Sequence, residues 1–201
     1  MNQFHEGLLK YLTQEQFDKI QSVNIGIGGA GGLGSNVAII LVRSGFKNIE
    51  ILDLDTIEPS NLNRQQYFIN EIGQNKIDTL KNRLLKINPD LNIKAHHVKW
   101  SKNNGENFFK NCEFIIEAFD KTEYKHEFVE YYQDKAPTII TGNGMAGISN
   151  EHPILVKKLD NIYFVGDNKT DTNDGHPPMS PRVTMCASMM AEVVLKQTLI
   201  N

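Results

Sequence analysis

The chain has 201 residues, 40% of them hydrophobic and 22% charged, with a formal net charge of -3. That length and polarity fit one globular domain able to bury a full core. The slightly acidic balance argues against a nucleic-acid binder, which carries a basic face.

Two cysteines, Cys112 and Cys186, lie far apart with no Cys-x-x-Cys pair, which supports neither a zinc site nor a disulfide framework. Sparse cysteine suits a reducing cytoplasm. Residues 1–21 lack the basic-then-apolar pattern of a secretory leader. No apolar run approaches the roughly 20 residues that span a bilayer. A cytoplasmic protein without membrane contact is the expectation.

In chain order, residues 7–21 read as an amphipathic helix with Leu8, Leu9, Leu12, Phe17 and Ile20 apolar. Residues 23–28 form a compact apolar strand, followed by a glycine-rich turn. Residues 33–44 read as a helix stopped by Gly45, and residues 49–53 as a second strand. The polar stretch 57–74 carries Pro59 and reads as a loop with short helical turns. Ile77, Leu80, Leu84 and Ile87 make a helical stripe over 76–88, ended by Pro89. A strand is predicted over 93–98, a short helix over 103–110 and a buried strand over 113–118. A helix over 123–132 and a strand over 138–141 follow. Residues 154–158 and 162–165 suggest an antiparallel hairpin, 166–178 a loop, and 183–199 a closing helix.

Strand–helix alternation with short loops implies an α/β, Rossmann-like, doubly wound and mostly parallel sheet, with helices on both faces and an antiparallel C-terminal extension. The expected organisation is one domain over 1–201. It comprises an N-terminal helix (1–21), a core (22–150), and a hairpin, loop and closing helix (151–201). Ligands of such sheets bind outside the carboxyl ends of the strands, where the glycine turn, Asp53 and Asp120 all fall.

The run Gly29-Ala30-Gly31-Gly32-Leu33-Gly34 follows a strand and opens a helix, the context in which such glycines cradle phosphate on free N–H groups. Asp53 stands where an acid binds ribose hydroxyls. This half of the pattern fits NAD, FAD or ATP equally. Asn61 and Arg64, three apart, would share one face of a helical turn, and arginine offers a planar donor fork suited to phosphate. Lys76 opens the next helix, where a solvated charge is the ordinary reading of a lysine. Two cations with the Asp120 carboxylate can hold a polyphosphate and its Mg²⁺.

From Gly29 through Asp53-Leu54-Asp55 and Ser60-Asn61-Leu62-Asn63-Arg64-Gln65 to Gly73-Gln74-Asn75-Lys76, the chain resembles the ThiF/MoeB relatives of ubiquitin-activating enzymes. Ile87-Asn88-Pro89 and Glu117-Ala118-Phe119-Asp120 continue the match. Gly142-Asn143-Gly144-Met145-Ala146-Gly147, Gly166-Asp167 and Ser180-Pro181-Arg182-Val183 look like the short ThiF-like subgroup linked to thiamine biosynthesis. The resemblance implies an adenylyltransferase that uses ATP and Mg²⁺ to activate the C-terminal glycine of a ubiquitin-like sulfur-carrier protein ending in Gly-Gly. It further implies a separate sulfur-donor protein and a homodimer.

Carried over residue by residue, Gly29, Gly31, Gly32, Gly34, Asp53, Asp55, Asn61, Arg64, Gln65 and Lys76 would hold the nucleotide. Arg64, Lys76 and Asp120 would be catalytic, Asp120 binding Mg²⁺. Glycines 142, 144 and 147 would let the carrier tail approach the backbone. The chain departs from the family by lacking both zinc-binding cysteine pairs and any arginine before Arg43, with only Lys10 as a stand-in.

Cys186 falls at helical spacing with Val183, Met190 and Val194, and Cys112 precedes a buried strand, so both read as core thiols. Asp167, Asp171, Asp174 and His176 read as a solvated loop rather than a metal site. The competing readings are an NAD-dependent oxidoreductase, an activator of a small-molecule or tRNA carboxylate, and a non-catalytic nucleotide-binding scaffold. The first leaves Asn61 and Arg64 unused.

Overall fold

A computed structural model describes residues 2–148, 152–170 and 175–200. Its strands are β1 (Asn24–Gly28), β2 (Asn48–Asp53), β3 (Asn92–His97), β4 (Phe114–Glu117), β5 (Thr138–Gly142), β6 (Leu155–Leu159) and β7 (Ile162–Gly166). They form one sheet in the order β3-β2-β1-β4-β5-β7-β6. Every neighbouring pair is parallel except β6 with β7. The helices are α1 (Gln3–Leu8), α2 (Gln14–Ser22), α3 (Gly32–Arg43), α4 (Lys76–Ile87), α5 (Thr122–Tyr132) and α6 (Ser180–Ile200). The chain winds outward from β1 to β3 and then crosses back to β4. The strand order therefore reverses between β1 and β4, which opens a crevice at their carboxyl ends.

The two faces of the sheet differ because β1 alternates isoleucine with glycine. Ile25 and Ile27 join Phe114, Ile116, Ile140 and Val165 beneath α3, α4 and α6. Gly26 and Gly28 face the other side. A Cβ on Gly26 would come within 2.6 Å of the Phe109 ring, and one on Gly28 within 2.8 Å of Phe128. Bare backbone thus lets an aromatic cluster of Trp100, Phe109, Phe128 and Tyr132 lie directly on the strand. Phe109 has a φ of +60°, a left-handed conformation that costs a bulky residue about 1–3 kcal/mol. Burying its ring returns about as much.

Three local expectations are corrected. The N-terminal helix is two helices, because Thr13 and Gln16 form a reciprocal capping box that starts α2 afresh. Residues 103–110 contain only a single 3₁₀ turn, Gly105–Asn107, held as Asn104 accepts from the Ser101 N–H. Finally, α6 is by length and composition apolar enough to cross a membrane, so such a run does exist. In the fold α6 packs on α2, α3, β5 and β7, burying Val183, Cys186, Met190 and Val194 along one stripe. The predicted hairpin is β6 and β7, with β7 also extending the parallel sheet beside β5.

Candidate functional site

The turn between β1 and α3 is shaped by backbone contact. Gly29 adopts a φ of +103°, and its N–H donates to the Leu52 carbonyl at 2.8 Å. A Cβ on Gly34 would collide with the Gly29 carbonyl oxygen, so this pair of glycines lets the first turn of α3 press on the strand exit. Gly31 caps α3 without any side-chain acceptor. The first helical N–H groups and the positive end of the dipole are left for an external anion.

Asp53, at the end of β2, holds this turn in place. One carboxylate oxygen accepts from the Ala30 N–H at 2.6 Å and the other from the Asp55 N–H at 2.7 Å. Each oxygen keeps a further lone pair with which to meet a ribose hydroxyl. Burial raises its pKa, against the lowering effect of these two N–H groups and of Lys76, and the raising effect prevails.

The loop over residues 60–67 folds onto the same helix terminus. Asn36 Nδ2 donates to the Arg64 carbonyl at 2.9 Å, and the Gln66 N–H donates to Ser35 Oγ at 3.2 Å. The Tyr67 hydroxyl donates to the Ala30 carbonyl at 2.7 Å. These bonds lay the Arg64 stem over Gly32, where a Cβ would meet Arg64 Cγ and Cδ at 3.5 Å. The guanidinium donates to the Ser60 carbonyl and to Asn63 Oδ1. Asn61 is buried, and its carboxamide oxygen accepts from the Glu58 N–H, which leaves its amide nitrogen as the end able to meet a ligand. Gln65 is buried beside Gly31, and its Oε1 has no hydrogen-bond partner.

Lys76 is not a solvated charge. It is 6% exposed, and its Nζ meets the Asp55 carboxylate at 2.8 Å. The strand exit folds back on α4, with the Lys76 N–H on the Asp55 carbonyl and the Ile57 N–H on the Gln74 carbonyl. Asp55 is itself largely exposed. Asp120 lies just past β4, which runs beside β1 with Glu117 opposite Gly28. It is exposed and, among the described residues, makes no hydrogen bond or ion pair.

The glycine turn, Asp53, Asn61, Arg64, Gln65 and Lys76 are therefore linked by contacts at one sheet edge. Asp120 shares the edge without touching them. An orphaned buried Gln65 oxygen beside an uncapped helix terminus and a cation fits a nucleotide phosphate and its sugar. No group of three or more His, Cys, Asp or Glu that could hold a metal gathers among the described residues. A Mg²⁺ here would be held by phosphates and the Asp120 carboxylate, the usual pattern for that ion.

Sequence reasoning missed two buried ion pairs. Glu117 meets Lys125 at 2.8 Å, and Asp167 meets Arg182 at 2.6 Å. The first was detectable, since an acid inside the buried run Phe114-Ile115-Ile116-Glu117 requires a partner. The structure also gives Gly142 and Gly144 reasons of their own: a Cβ would strike Leu33 from the first and Asp167 from the second. Gly147 donates its N–H to the Pro177 carbonyl at a φ of +86°. Asp171 and Asp174 lie outside the described residues.

Both thiols are buried, and burial pushes each up to about 12. Neither is a ready nucleophile near neutral pH, where the thiolate is the reactive form. Native protein at pH 8 should release almost no thionitrobenzoate from Ellman's reagent until unfolded, when both thiols react. A rapid stoichiometric reaction of the native protein would contradict this.

The ThiF family model matches residues 6–199. The chain belongs to the ThiF family. Among curated ThiF-related sequences, SUMO-activating enzyme subunit 2 of Dictyostelium discoideum is 44% identical over 123 residues, 60% of this chain and 18% of that protein. tRNA threonylcarbamoyladenosine dehydratase 1 of Saccharomyces cerevisiae is 31% identical over 169 residues, 80% of this chain and 39% of its own. The chain thus spans less than half the length of these two relatives. Among solved structures, E. coli TcdA, a tRNA N6-threonylcarbamoyladenosine dehydratase in complex with AMP, superposes with a TM-score of 0.85 at 19% identity. That alignment covers 97% of this chain and 93% of TcdA. The shared ThiF fold agrees with the α/β reading.

Proposed function

We propose that this chain adenylates a carboxylate with ATP, and that its substrate is the C-terminal glycine of a ubiquitin-like sulfur-carrier protein of thiamine thiazole synthesis. One observation carries the nucleotide half of this reading. Three hydrogen bonds from Asn36, Gln66 and Tyr67 tie the 60–67 loop to the glycine turn, and so lay Arg64 across the anion-binding helix terminus. An arginine fork at that terminus suits phosphate oxygens on which charge grows during a transfer. Membership of the ThiF family and relatives named as SUMO-activating enzyme and as an adenylyltransferase and sulfurtransferase support the acyl half.

In this reaction the carrier carboxylate oxygen attacks the α-phosphorus, the α–β phosphoanhydride bond breaks, and pyrophosphate leaves. Asp53 orients the ribose, while the N–H groups at the start of α3 and Asn61 hold the phosphates. Arg64 stabilises charge that grows on the α-phosphate and leaving oxygens, the kind of stabilisation that dominates such transfers. Lys76, shielded and paired with Asp55, is the second cation offered to the phosphates. Mg²⁺, when bound through Asp120, supplies further charge neutralisation to the polyphosphate.

Carrier-dependent ATP–pyrophosphate exchange tests the reading. Arg64→Ala should lower the exchange rate by about 10²–10³-fold, the scale expected on deleting one transition-state donor, with little change in melting temperature. An unaltered rate removes Arg64 from the reaction. A second reading is favoured by the yeast dehydratase match over 80% of this chain: the carboxylate is that of threonylcarbamoyl-adenosine in tRNA. Exchange stimulated by such a tRNA, and by no carrier ending in Gly-Gly, would select it.

A further inference from the structure

We propose that Lys125 and Glu117 act as a clamp that positions Asp120, a role that rests on the adenylation reading above. Glu117 ends β4 with a side chain wholly buried, and Lys125, in the first turns of α5, is about one-fifth exposed. Every oxygen of the carboxylate is engaged. Glu117 Oε1 accepts from the Phe119 N–H at 2.7 Å, and Oε2 accepts from the Thr141 hydroxyl at 2.6 Å and from Lys125 Nζ at 2.8 Å. The same Nζ donates to the Phe119 carbonyl at 3.0 Å.

Both backbone polar groups of Phe119 are therefore gripped by two side chains that are also paired with each other. An ion pair serving stability alone would be complete without the bond to Phe119. That carbonyl belongs to the peptide entering Asp120, so fixing its plane directs where the Asp120 side chain leaves the chain. The segment is anchored on either side: the Ala118 N–H donates to the Gly28 carbonyl at 2.8 Å, and the Phe119 ring packs edge-on against Phe128 at 5.2 Å. Asp120 is exposed and takes no hydrogen bond of its own, so the clamp is what fixes the backbone from which its side chain departs. Lys125 is a positioning residue here. Its charge is directed at Glu117 and the Phe119 carbonyl.

The test separates positioning from stability. Lys125→Met strands the buried Glu117 carboxylate and should lower both the melting temperature and the exchange rate. The pair Glu117→Gln/Lys125→Met removes the stranded charge and should recover the melting temperature, as neutral replacements of buried pairs often do. It still lacks the donor to Phe119. Its kcat should stay about 10-fold to 10²-fold low, the scale of a displaced reacting group, with the KM for ATP within about twofold. Lys125→Arg, which can donate to both partners, should restore kcat. In an Asp120→Asn background, the stability-neutral pair Glu117→Gln/Lys125→Met should add little further loss of kcat, because coupled residues are not additive.

A second readout needs no substrate. The amide resonance of Asp120 shares the peptide of the Phe119 carbonyl, so it should shift or broaden in the Glu117→Gln/Lys125→Met protein and return in Lys125→Arg. Full kcat in the double variant, or an unmoved Asp120 resonance, overturns the clamp. Absence of exchange in the unaltered protein with any carrier or tRNA overturns the adenylation reading instead, and the Asp120 resonance then decides the clamp by itself.

Discussion

Alanine at Gly34 is expected to destroy the nucleotide site, while alanine at Gly31, three residues earlier, should leave the fold intact and remove only binding. The two glycines differ in what a methyl group would meet. At Gly34 it meets the Gly29 carbonyl oxygen and, at 3.3 Å, the Ala118 methyl. The oxygen is backbone on a strand exit held by the Leu52 carbonyl, so no side chain can rotate away. The turn must open, which costs about 1–3 kcal/mol or more of overpacking and shifts the phosphate-binding N–H groups. At Gly31 the nearest atom is Gln65 Nε2 at 3.8 Å, and the φ of -80° suits any residue. The methyl there would occupy the space where an anion approaches the start of α3. ATP titration by calorimetry and thermal melting of both variants gives the answer. Gly34→Ala should melt several degrees lower and lose ATP affinity about 10²-fold; Gly31→Ala should lose affinity at an unchanged melting temperature. Normal ATP affinity in Gly31→Ala would remove the phosphate from this terminus.

The same contrast explains what could be read without coordinates. The glycine turn, Asp53 and the stripe Ile77, Leu80, Leu84 were legible because each rests on a local rule of period or turn chemistry. The burial of Lys76 was not. It depends on the strand exit at Asp55 folding back against Gln74 and Lys76, a non-local contact that a helix-opening lysine does not announce. The grip of the 60–67 loop on α3 was legible only as a pairing of residue types. Its geometry comes from Ser35 and Asn36 on the helix and Tyr67 on the loop, none of which looks functional alone. The break before α2 was readable from Thr13 and Gln16, but the apolar positions on either side masked it. Gly142 and Gly144 have a second reason, not legible in the sequence: a Cβ at either would strike Leu33 or Asp167 of the same chain. A bulky residue at Gly144 would therefore disturb the fold first, and could not report cleanly on carrier binding.

Replacing Asp167 with asparagine is expected to produce a large loss of stability. The carboxylate is fully buried and Arg182 nearly so. It accepts from the Lys169 N–H, the Thr170 N–H and the Thr170 hydroxyl as well as from Arg182, and so fastens the segment after β7 to the first turn of α6. Neutralising one partner of a buried, hydrogen-bonded ion pair costs about 3–5 kcal/mol. For a chain of this size that corresponds to a fall in melting temperature of about 6–20 °C. The pH dependence has a definite sign. Burial raises the Asp167 pKa, but the Thr170 and Lys169 N–H groups, the Thr170 hydroxyl and Arg182 together outweigh it and hold the group below its ordinary 3.8. A carboxyl group depressed in the folded state contributes stability that is full above the ordinary value and lost as pH falls below it. The unaltered protein should therefore lose stability as pH drops below about 4, and Asp167→Asn should lose less over the same interval because it has no proton to take up at that position. Urea denaturation midpoints measured from pH 7 to pH 3 for both proteins test this. Parallel curves across that range would mean that the Asp167–Arg182 pair contributes no acid-sensitive stability, and that the anchoring of α6 rests on its apolar face against α3.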